Sequence, residues 1–438
     1  MDLKFVLLQL NEINFDLVDR YLSSSKKNKF RNFKTLKNSY KFFNTYSEKK
    51  YRNLEPWIQW VSVNLGKDFN QHKIFRLGDI VNYPNEKQIF EKIENKGFKV
   101  GAIAPMNTEN RLKNPSYFIP DPWTNTHSDK SSFASRITHM LKQTVNDNAS
   151  GKISLSSFLI ILEIIFKTLH YKKTLVLFKL IFSSIKKPWN KSLVLDYLIH
   201  LVHIYFLKKK KPNFSSIFFN AGAHIQHHYF FNSKYMKSIP KNPDWYVKGD
   251  KDPIEDMLDV YDLIIGDYIN LSTGINNLFI STGLRQIPYS KNKFYYRLKN
   301  HSSFLNNIGL KYSKVLPRMT RDFEIIFANN TDLTNAKKIL KNIKFNKTNL
   351  KIFGEIEERD KSLFVTLTYS QEIKVHDNIT VNNEQSVNFF NEVVFVAIKN
   401  GMHDSKGYVF CSSDTEFKIP KKPIHVSKLH EIIISHFN

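Results

Sequence analysis

The chain has 438 residues and a single cysteine, Cys411, which excludes a disulfide-stapled mini-protein; the length allows two or three domains, or one large α/β domain with insertions. Apolar residues make up 42% of the chain and aromatic residues 14%, enough for a large core, so wholesale disorder is excluded as well. Lys and Arg exceed Asp and Glu by 65 − 40 = 25, a balance that fits nucleic acid, anionic lipid or an anionic substrate, and equally an AT-rich coding bias that enriches Lys, Asn and Ile.

A lone cysteine fits a reducing, cytoplasmic compartment. The first apolar run, Phe5–Leu10, is far shorter than the roughly 20 residues a membrane span needs, so neither a span nor a signal peptide is expected. "KFVLLQL" reads instead as a buried strand, and "NEINFDLVDRYL" after it has helical spacing at Ile13, Leu17 and Tyr21. Asn11 and Glu12 therefore stand at the C-terminal end of a strand, the edge of an open α/β sheet where ligands bind. Glu12 is singled out because an acid at the end of a buried strand is rarely left without a partner.

In "NLEPWIQWVSVNLG", Glu55 precedes Pro56 and so occupies an extended residue just before a helix, where an exposed acid favoured by the helix dipole is the ordinary reading. "EKQIFEKIENKGFKVGAIAP" gives an amphipathic helix, a stop at Gly97 and a strand over 99–104. Alternation of this kind implies a parallel sheet. Residues 153–211 break it with two long helical stretches, "SLSSFLIILEIIFKTL" and "SLVLDYLIHLVHIYFLKKKK", apolar over much of their surface. They read as a helical cap. Either both pack on the body as buried helices, or they dock on a membrane surface with the Lys clusters at 172–173, 186–187 and 208–211 facing anionic lipid.

The sheet resumes with the strand "SSIFFNAGA", the helix "DPIEDMLDVYDLIIGDYINLSTGI" and the strand "NNLFIST". "STGLRQIPY" then puts Thr282, Arg285 and Gln286 at the same sheet edge; Arg285 could grip an anionic oxygen or pair with Glu12 or Glu55. From Asp322 onward "DFEIIFA", "DLTNAKKILKNI", "NLKIFGEIEE" and "SLFVTLTY" form a smaller α+β segment, after which "NEVVFVAI" leads into "NGMHDSKGYVF".

His224, His227 and His228 follow a strand in "NAGAHIQHHYFF", and spacings of three and four bring imidazoles to one helical face, as a transition metal requires. His403 lies between Gly401 and Gly407, which suit a tight turn between strands and leave room for close backbone approach. There is no Walker loop, Rossmann glycine fingerprint or Cys zinc cluster, and the basic residues do not interleave with an aromatic motif for specific nucleic-acid binding. None of these features specifies an oligomeric state.

Taken in order, the segments resemble the alkaline phosphatase superfamily, nearest its type I phosphodiesterase and nucleotide pyrophosphatase branch. "KFVLLQLNEINFDLV" is similar to the opening strand whose terminal Asp binds metal, with Asn11 or Glu12 in that place. "EPWIQWVSVNLGKDFNQHKIF" is similar to the nucleophile helix, with Gly66 and His72 as anchors, "GAHIQHHYFF" to the Asp-to-His metal motif, and "GMHDSKGYVF" to the final metal-binding His and Gly. Three departures stand out. Pro56 occupies the nucleophile position, with Glu55 beside it; Ser281, Thr282 and Gly283 replace a metal-binding Asp-His-Gly; Ala223 or His224 replaces the Asp before the His cluster.

The resemblance implies an α/β fold, a central mainly parallel sheet flanked by helices, with core segments at 1–150, 212–325 and 391–438, a helical cap at 151–211 and a small α+β insertion at 326–390. It implies a divalent metal, zinc or manganese with iron also admissible, held by Asn11 or Glu12, one or two of His224, His227 and His228, and His403. Glu55 would act as general base or carboxylate nucleophile beside Arg285. The expected activity is a metal-dependent hydrolase or transferase acting on a phosphodiester or sulfate ester of an anionic glycan or lipid; a degenerate protein that only binds such a ligand is the alternative.

Overall fold

The computed structural model describes residues 3, 5–146, 154–168, 170–236, 240–271, 277–318, 321–381, 385–412 and 417–438. The expected boundary at 150/151 and the end of the helix expected to run to 275 lie outside the described residues. The chain forms two compact units, residues 1–288 with 401–438, and residues 289–400.

The first unit is built on eight strands: β1 Phe5–Leu10, β2 Lys41–Tyr46, β3 Val100–Ile103, β4 Tyr117–Ile119, β5 Phe214–Phe219, β6 Asn277–Ser281, β7 Lys406–Cys411 and β8 Ile424–His425. Their order across the sheet is β8-β2-β7-β6-β1-β5-β3-β4. β1 pairs in parallel with β5 and β6, and β3 with β4 and β5, as strand-helix alternation requires. Only β7 runs against the rest, antiparallel to both β2 and β6. The sheet is thus mainly parallel and flanked by helices.

β1 sits at its centre because every residue from Phe5 to Leu10 is buried. Its side chains alternate between two cores: Val6, Leu8 and Leu10 on one face with Ile217 and Phe219 of β5, and Phe5 and Leu7 on the other with Phe214 and Phe218. Truncating a side chain such as Leu8 to Ala would cost about 2–5 kcal/mol. The chain then enters the helix Phe15–Ser24, started by Asn14, whose side chain accepts the Leu17 N–H at 3.1 Å. The helix Pro56–Leu65 opens on Pro at its first position and closes at Gly66 (φ +73°), where a Cβ would lie 2.9 Å from the His430 ring.

The helical stretches at 153–211 divide in character. Asn190–Lys210 is buried along most of its length, as a core helix should be. Leu155–Lys167 and Tyr171–Ser183 are not: each buries only two or three side chains and exposes a further apolar set. The reading that both long stretches are ordinary buried helices therefore holds for the later one and fails for the earlier. Among the described residues, no helix is long and apolar enough to cross a membrane.

The second unit has its own core, including Phe304, Phe323, Leu340, Leu363 and Phe389. An antiparallel sheet orders Glu355–Arg359, Ser362–Thr366, Asp322–Ile326 and Lys314–Pro317, with a three-stranded sheet and the helix Asn330–Asn342 completing an α+β body. It spans 289–400, wider than the expected 326–390. The chain enters along Arg285–Leu298, "RQIPYSKNKFYYRL", a 14-residue strand too rich in polar and basic residues to show an apolar run.

Candidate metal centre

Every strand of the main sheet that runs with β1 presents its C-terminal end to the same edge, and β7, running the other way, presents its start there. Glu12 follows β1, the helix Ala221–Tyr229 follows β5, Thr282 follows β6, Glu55 lies beyond β2, and His403 lies just before β7. Topology alone gathers these residues from five chain segments.

Glu12 turns the chain sharply at this edge, with a left-handed φ of +61° that a non-glycine residue adopts only when its surroundings hold it. Its N–H donates to the Thr282 carbonyl at 3.0 Å, and its own carbonyl accepts from the Gln286 N–H at 3.2 Å and Gln226 Nε2 at 3.0 Å. The carboxylate is oriented as firmly. Oε1 accepts from Asn11 Nδ2 at 3.0 Å and Oε2 from Gln286 Nε2 at 2.6 Å. Asn11 is in turn fixed by Trp60 Nε1, which donates to its Oδ1 at 2.9 Å, and by donation to Asn220 Oδ1 at 2.9 Å.

Glu12 Oε2 lies 3.1 Å from His227 Nε2 and 3.2 Å from His403 Nε2, and the two imidazole nitrogens are 3.2 Å apart. Burial by itself would raise the Glu12 carboxyl, but the His403 and His227 rings beside it hold it well below the usual carboxylate range. The triangle has the size a metal requires: donors about 2.05 Å from a tetrahedral zinc stand about 3.3 Å from one another. Among the described residues, these three form the one group of three or more His, Cys, Asp or Glu side chains placed to share an ion. Glu12 keeps only 2% of its side chain exposed while His227 keeps 28%, so the triangle opens to solvent on the His227 side.

Glu55 is the residue before the helix Pro56–Leu65, and its carboxylate does not cap that helix. Its Oε2 lies 3.7 Å from Nδ1 of His403, the ring nitrogen facing away from the triangle. His224 and His228 stay out of the donor group. They sit one turn apart with ring centroids at 4.8 Å, and burial, then the neighbouring His227, pushes His224 down to about 4. At about 100° per residue, position 227 is turned about 60° from 224 and about 100° from 228, and of the three rings only that of His227 joins Glu12 and His403.

Arg285 also lies elsewhere than expected. Nε donates to Asp404 Oδ2 at 2.6 Å, Nη1 donates to Asp16 and, at 2.9 Å, to the Tyr408 hydroxyl, so the guanidinium is committed to two carboxylates that are neither Glu12 nor Glu55. Asn11 acts on Glu12 and is not in the triangle. Thr282 Oγ1 accepts the Tyr408 N–H at 3.0 Å, which makes it part of the sheet edge. Gly401 leaves room for a side chain rather than a ligand, since a Cβ there would lie 2.0 Å from Gln286 Oε1. Sequence reasoning missed Gln226 and Asn220 altogether; the only signal was the position of Gln226 inside the His cluster.

No family model and no curated protein matches this chain. Among solved structures, it is similar to phosphonoacetate hydrolase from Sinorhizobium meliloti 1021, with 9% identity, TM-score 0.40, and coverage of 99% of this chain and 96% of that one. It is also similar to human ectonucleotide pyrophosphatase/phosphodiesterase 5, with 11% identity, TM-score 0.42, and coverage of 99% and 95%. Alkaline phosphatase from the Antarctic bacterium TAB5 is similar at 10% identity and TM-score 0.41, with coverage of 100% and 99%.

Proposed function

We propose that the chain is a metal-dependent hydrolase of the alkaline phosphatase type, acting on a phosphodiester or sulfate ester of an anionic glycan or lipid. The observation that carries this reading is the triangle of Glu12, His227 and His403, with sides of 3.1, 3.2 and 3.2 Å, beside the Glu55 carboxylate. Those three residues would hold one divalent ion, zinc or manganese by the chemistry of a carboxylate with two imidazoles. When bound, such an ion polarises a phosphoryl or sulfuryl oxygen and lowers the pKa of water.

The chain's own groups divide the remaining work. Asn11 and Gln286 fix the orientation of the Glu12 carboxylate through its two oxygens. Glu55 accepts a proton from the attacking water or hydroxyl, and its position at a helix start favours a carboxylate there. Pro56 at the helix start offers no hydroxyl, so covalent catalysis, if used, falls to the Glu55 carboxylate. The chain's net charge of +25 favours an anionic substrate, and its one cysteine, buried Cys411, fits a cytoplasmic setting.

The test is a metal-stripped preparation assayed with phosphodiester, phosphomonoester and sulfate ester substrates, each with added zinc, manganese, magnesium or iron. Turnover that needs metal and disappears in His227→Ala and His403→Ala supports the hydrolase. Ser281, Thr282 and Gly283, which stand where the resemblance implies a metal-binding Asp-His-Gly and of which Thr282 accepts the Tyr408 N–H, favour the second reading, a protein that binds an anionic glycan or lipid without cleaving it. Calorimetric binding of such a ligand with no turnover of any ester would replace the first reading by the second.

A further inference from the structure

The helices Leu155–Lys167 and Tyr171–Ser183 both rest on the buried helix Asn190–Lys210, to which they give one apolar face: Ile160 and Ile164 from the first, Leu177 and Leu180 from the second. They carry a second apolar face as well. Ten of the 19 large apolar side chains exposed among the described residues fall between 155 and 185, among them Phe158, Phe166, Tyr171, Phe182 and Ile185. Phe166 and Tyr171 are each 80% exposed and Ile185 78%, values no core helix shows.

The pattern is regular. Exposed Leu155, Leu159, Leu162 and Phe166 are spaced 4, 3 and 4, and Tyr171, Leu175, Phe178 and Phe182 repeat that spacing, so each helix turns one continuous stripe to solvent. At on the order of 100 Å² per side chain, ten such residues exceed the few hundred Å² that soluble monomers leave in one apolar patch. The charge on the segment is one-sided. Residues 154–187 contain Lys167, Lys172, Lys173, Lys179, Lys186 and Lys187 against the single acid Glu163, a balance of 6 − 1 = +5. Glu163 is engaged by Arg136 at 2.6 Å, while Lys173 and Lys187 turn back to Asp267 and Asp256. Lys167 lies 3.7 Å from Glu163, and Lys172, Lys179 and Lys186 are exposed beside the stripes.

We infer that this pair of helices is an interfacial anchor that lies in the headgroup region of an anionic lipid bilayer. Thirteen residues per helix span about 20 Å, suited to lying along a surface, and neither helix can cross a membrane. Exposed Phe, Leu and Ile enter the acyl boundary, and the lysines meet lipid phosphates or carboxylates. A second copy of this chain is a poor occupant, because two faces edged by the exposed Lys172, Lys179 and Lys186 would be brought together. Lipid binding through these helices does not depend on the metal centre.

Vesicle sedimentation with the full chain decides it. Binding should be at least 10-fold tighter to vesicles of phosphatidylcholine with 30% phosphatidylglycerol than to phosphatidylcholine alone, and should weaken as salt rises. Phe158→Ser, Phe166→Ser and Phe182→Ser together should lower binding at least 10-fold at an unchanged melting temperature. Lys172→Glu with Lys179→Glu should remove the preference for anionic vesicles. Absence of binding to anionic vesicles, binding untouched by the Phe substitutions, or a dimer in sedimentation analysis that those substitutions abolish would each overturn the inference.

Discussion

His227 Nε2 and His403 Nε2 stand 3.2 Å apart although the two residues are separated by 176 positions in the chain. Such proximity of two imidazole nitrogens, with a carboxylate oxygen completing the triangle, is stable when a proton or a cation lies among them. The first prediction follows. Purified protein should hold about one equivalent of zinc or manganese by elemental analysis, and His227→Ala, His403→Ala and Glu12→Gln should each hold none above background. Zinc at 100 times its dissociation constant should stabilise the wild type by about 2.7 kcal/mol and leave these variants unshifted. Gln286→Ala, which frees the Glu12 carboxylate to rotate, should weaken metal binding about 10- to 100-fold.

Glu55 stands against the far nitrogen of His403, a place that suits either a proton acceptor or a support for the imidazole, and the two roles separate kinetically. As general base, Glu55→Gln should lower kcat by about 10²-fold or more at saturating metal, flatten the acidic limb of the pH–rate profile and leave metal affinity unchanged. If metal affinity falls about 10-fold or more and excess metal restores kcat, Glu55 only supports His403.

Arg285 should matter to folding more than to chemistry. Arg285→Met strands the carboxylates of Asp16 and Asp404, but Asp16 is half exposed and also paired with Lys406 at 3.0 Å, so the expected loss is about 1–2 kcal/mol. Denaturant titration should register that loss, while KM for an anionic ester stays within about 2-fold. A large rise in KM would mean that Arg285 leaves its carboxylates to grip substrate.

Two buried histidines away from the metal centre, His72 and His430, should be among the groups that make the fold sensitive to acid. The Ile74 N–H donates to His72 Nδ1 at 3.0 Å, which requires an unprotonated nitrogen there, and Lys92 Nζ lies 2.9 Å from His430 Nε2. Burial pushes both down to about 4, with Lys92 adding to the effect at His430. The unfolded chain, with His near 6.5, takes up these protons first, so stability is full above pH 6.5, falls as pH drops from 6.5 to 4 and levels off below. Each histidine contributes about 1–3 kcal/mol to that fall. Denaturant titrations of metal-free protein at pH 7 and pH 5 should show it, and His430→Gln should remove about half of the slope due to this pair.

What was legible in the sequence tracks how local the deciding interaction is. The buried strand Phe5–Leu10 announced itself as an apolar run, and with it the placing of Glu12 at a sheet edge. β2, "KFFNTY", gave no such signal because its burial is mixed. The His cluster pointed to a metal by residue type, but choosing His227 over His224 and His228 needed the rotation of the helix Ala221–Tyr229 relative to a residue more than 200 positions away. Gln286 and Asn11 acquire their tasks from the turn at Glu12, which leaves no local pattern. The helices at 155–183 misled for a related reason. Apolar residues on both faces look like core until the structure shows which face has no protein against it.

The left-handed backbone at Glu12 bears on how chains of this kind would age under mutation. Glycine would relax that turn by about 1 kcal/mol but would also remove the acceptor of the Asn11 and Gln286 side chains, so the acid is kept there against a backbone that favours its loss. A lineage that no longer used the centre would therefore lose the acid early while keeping β1 and the rest of the sheet intact. The residue at position 12 works as a gauge: natural variants that retain an acid there have kept the charge of the centre, and those with Gly have kept only the scaffold.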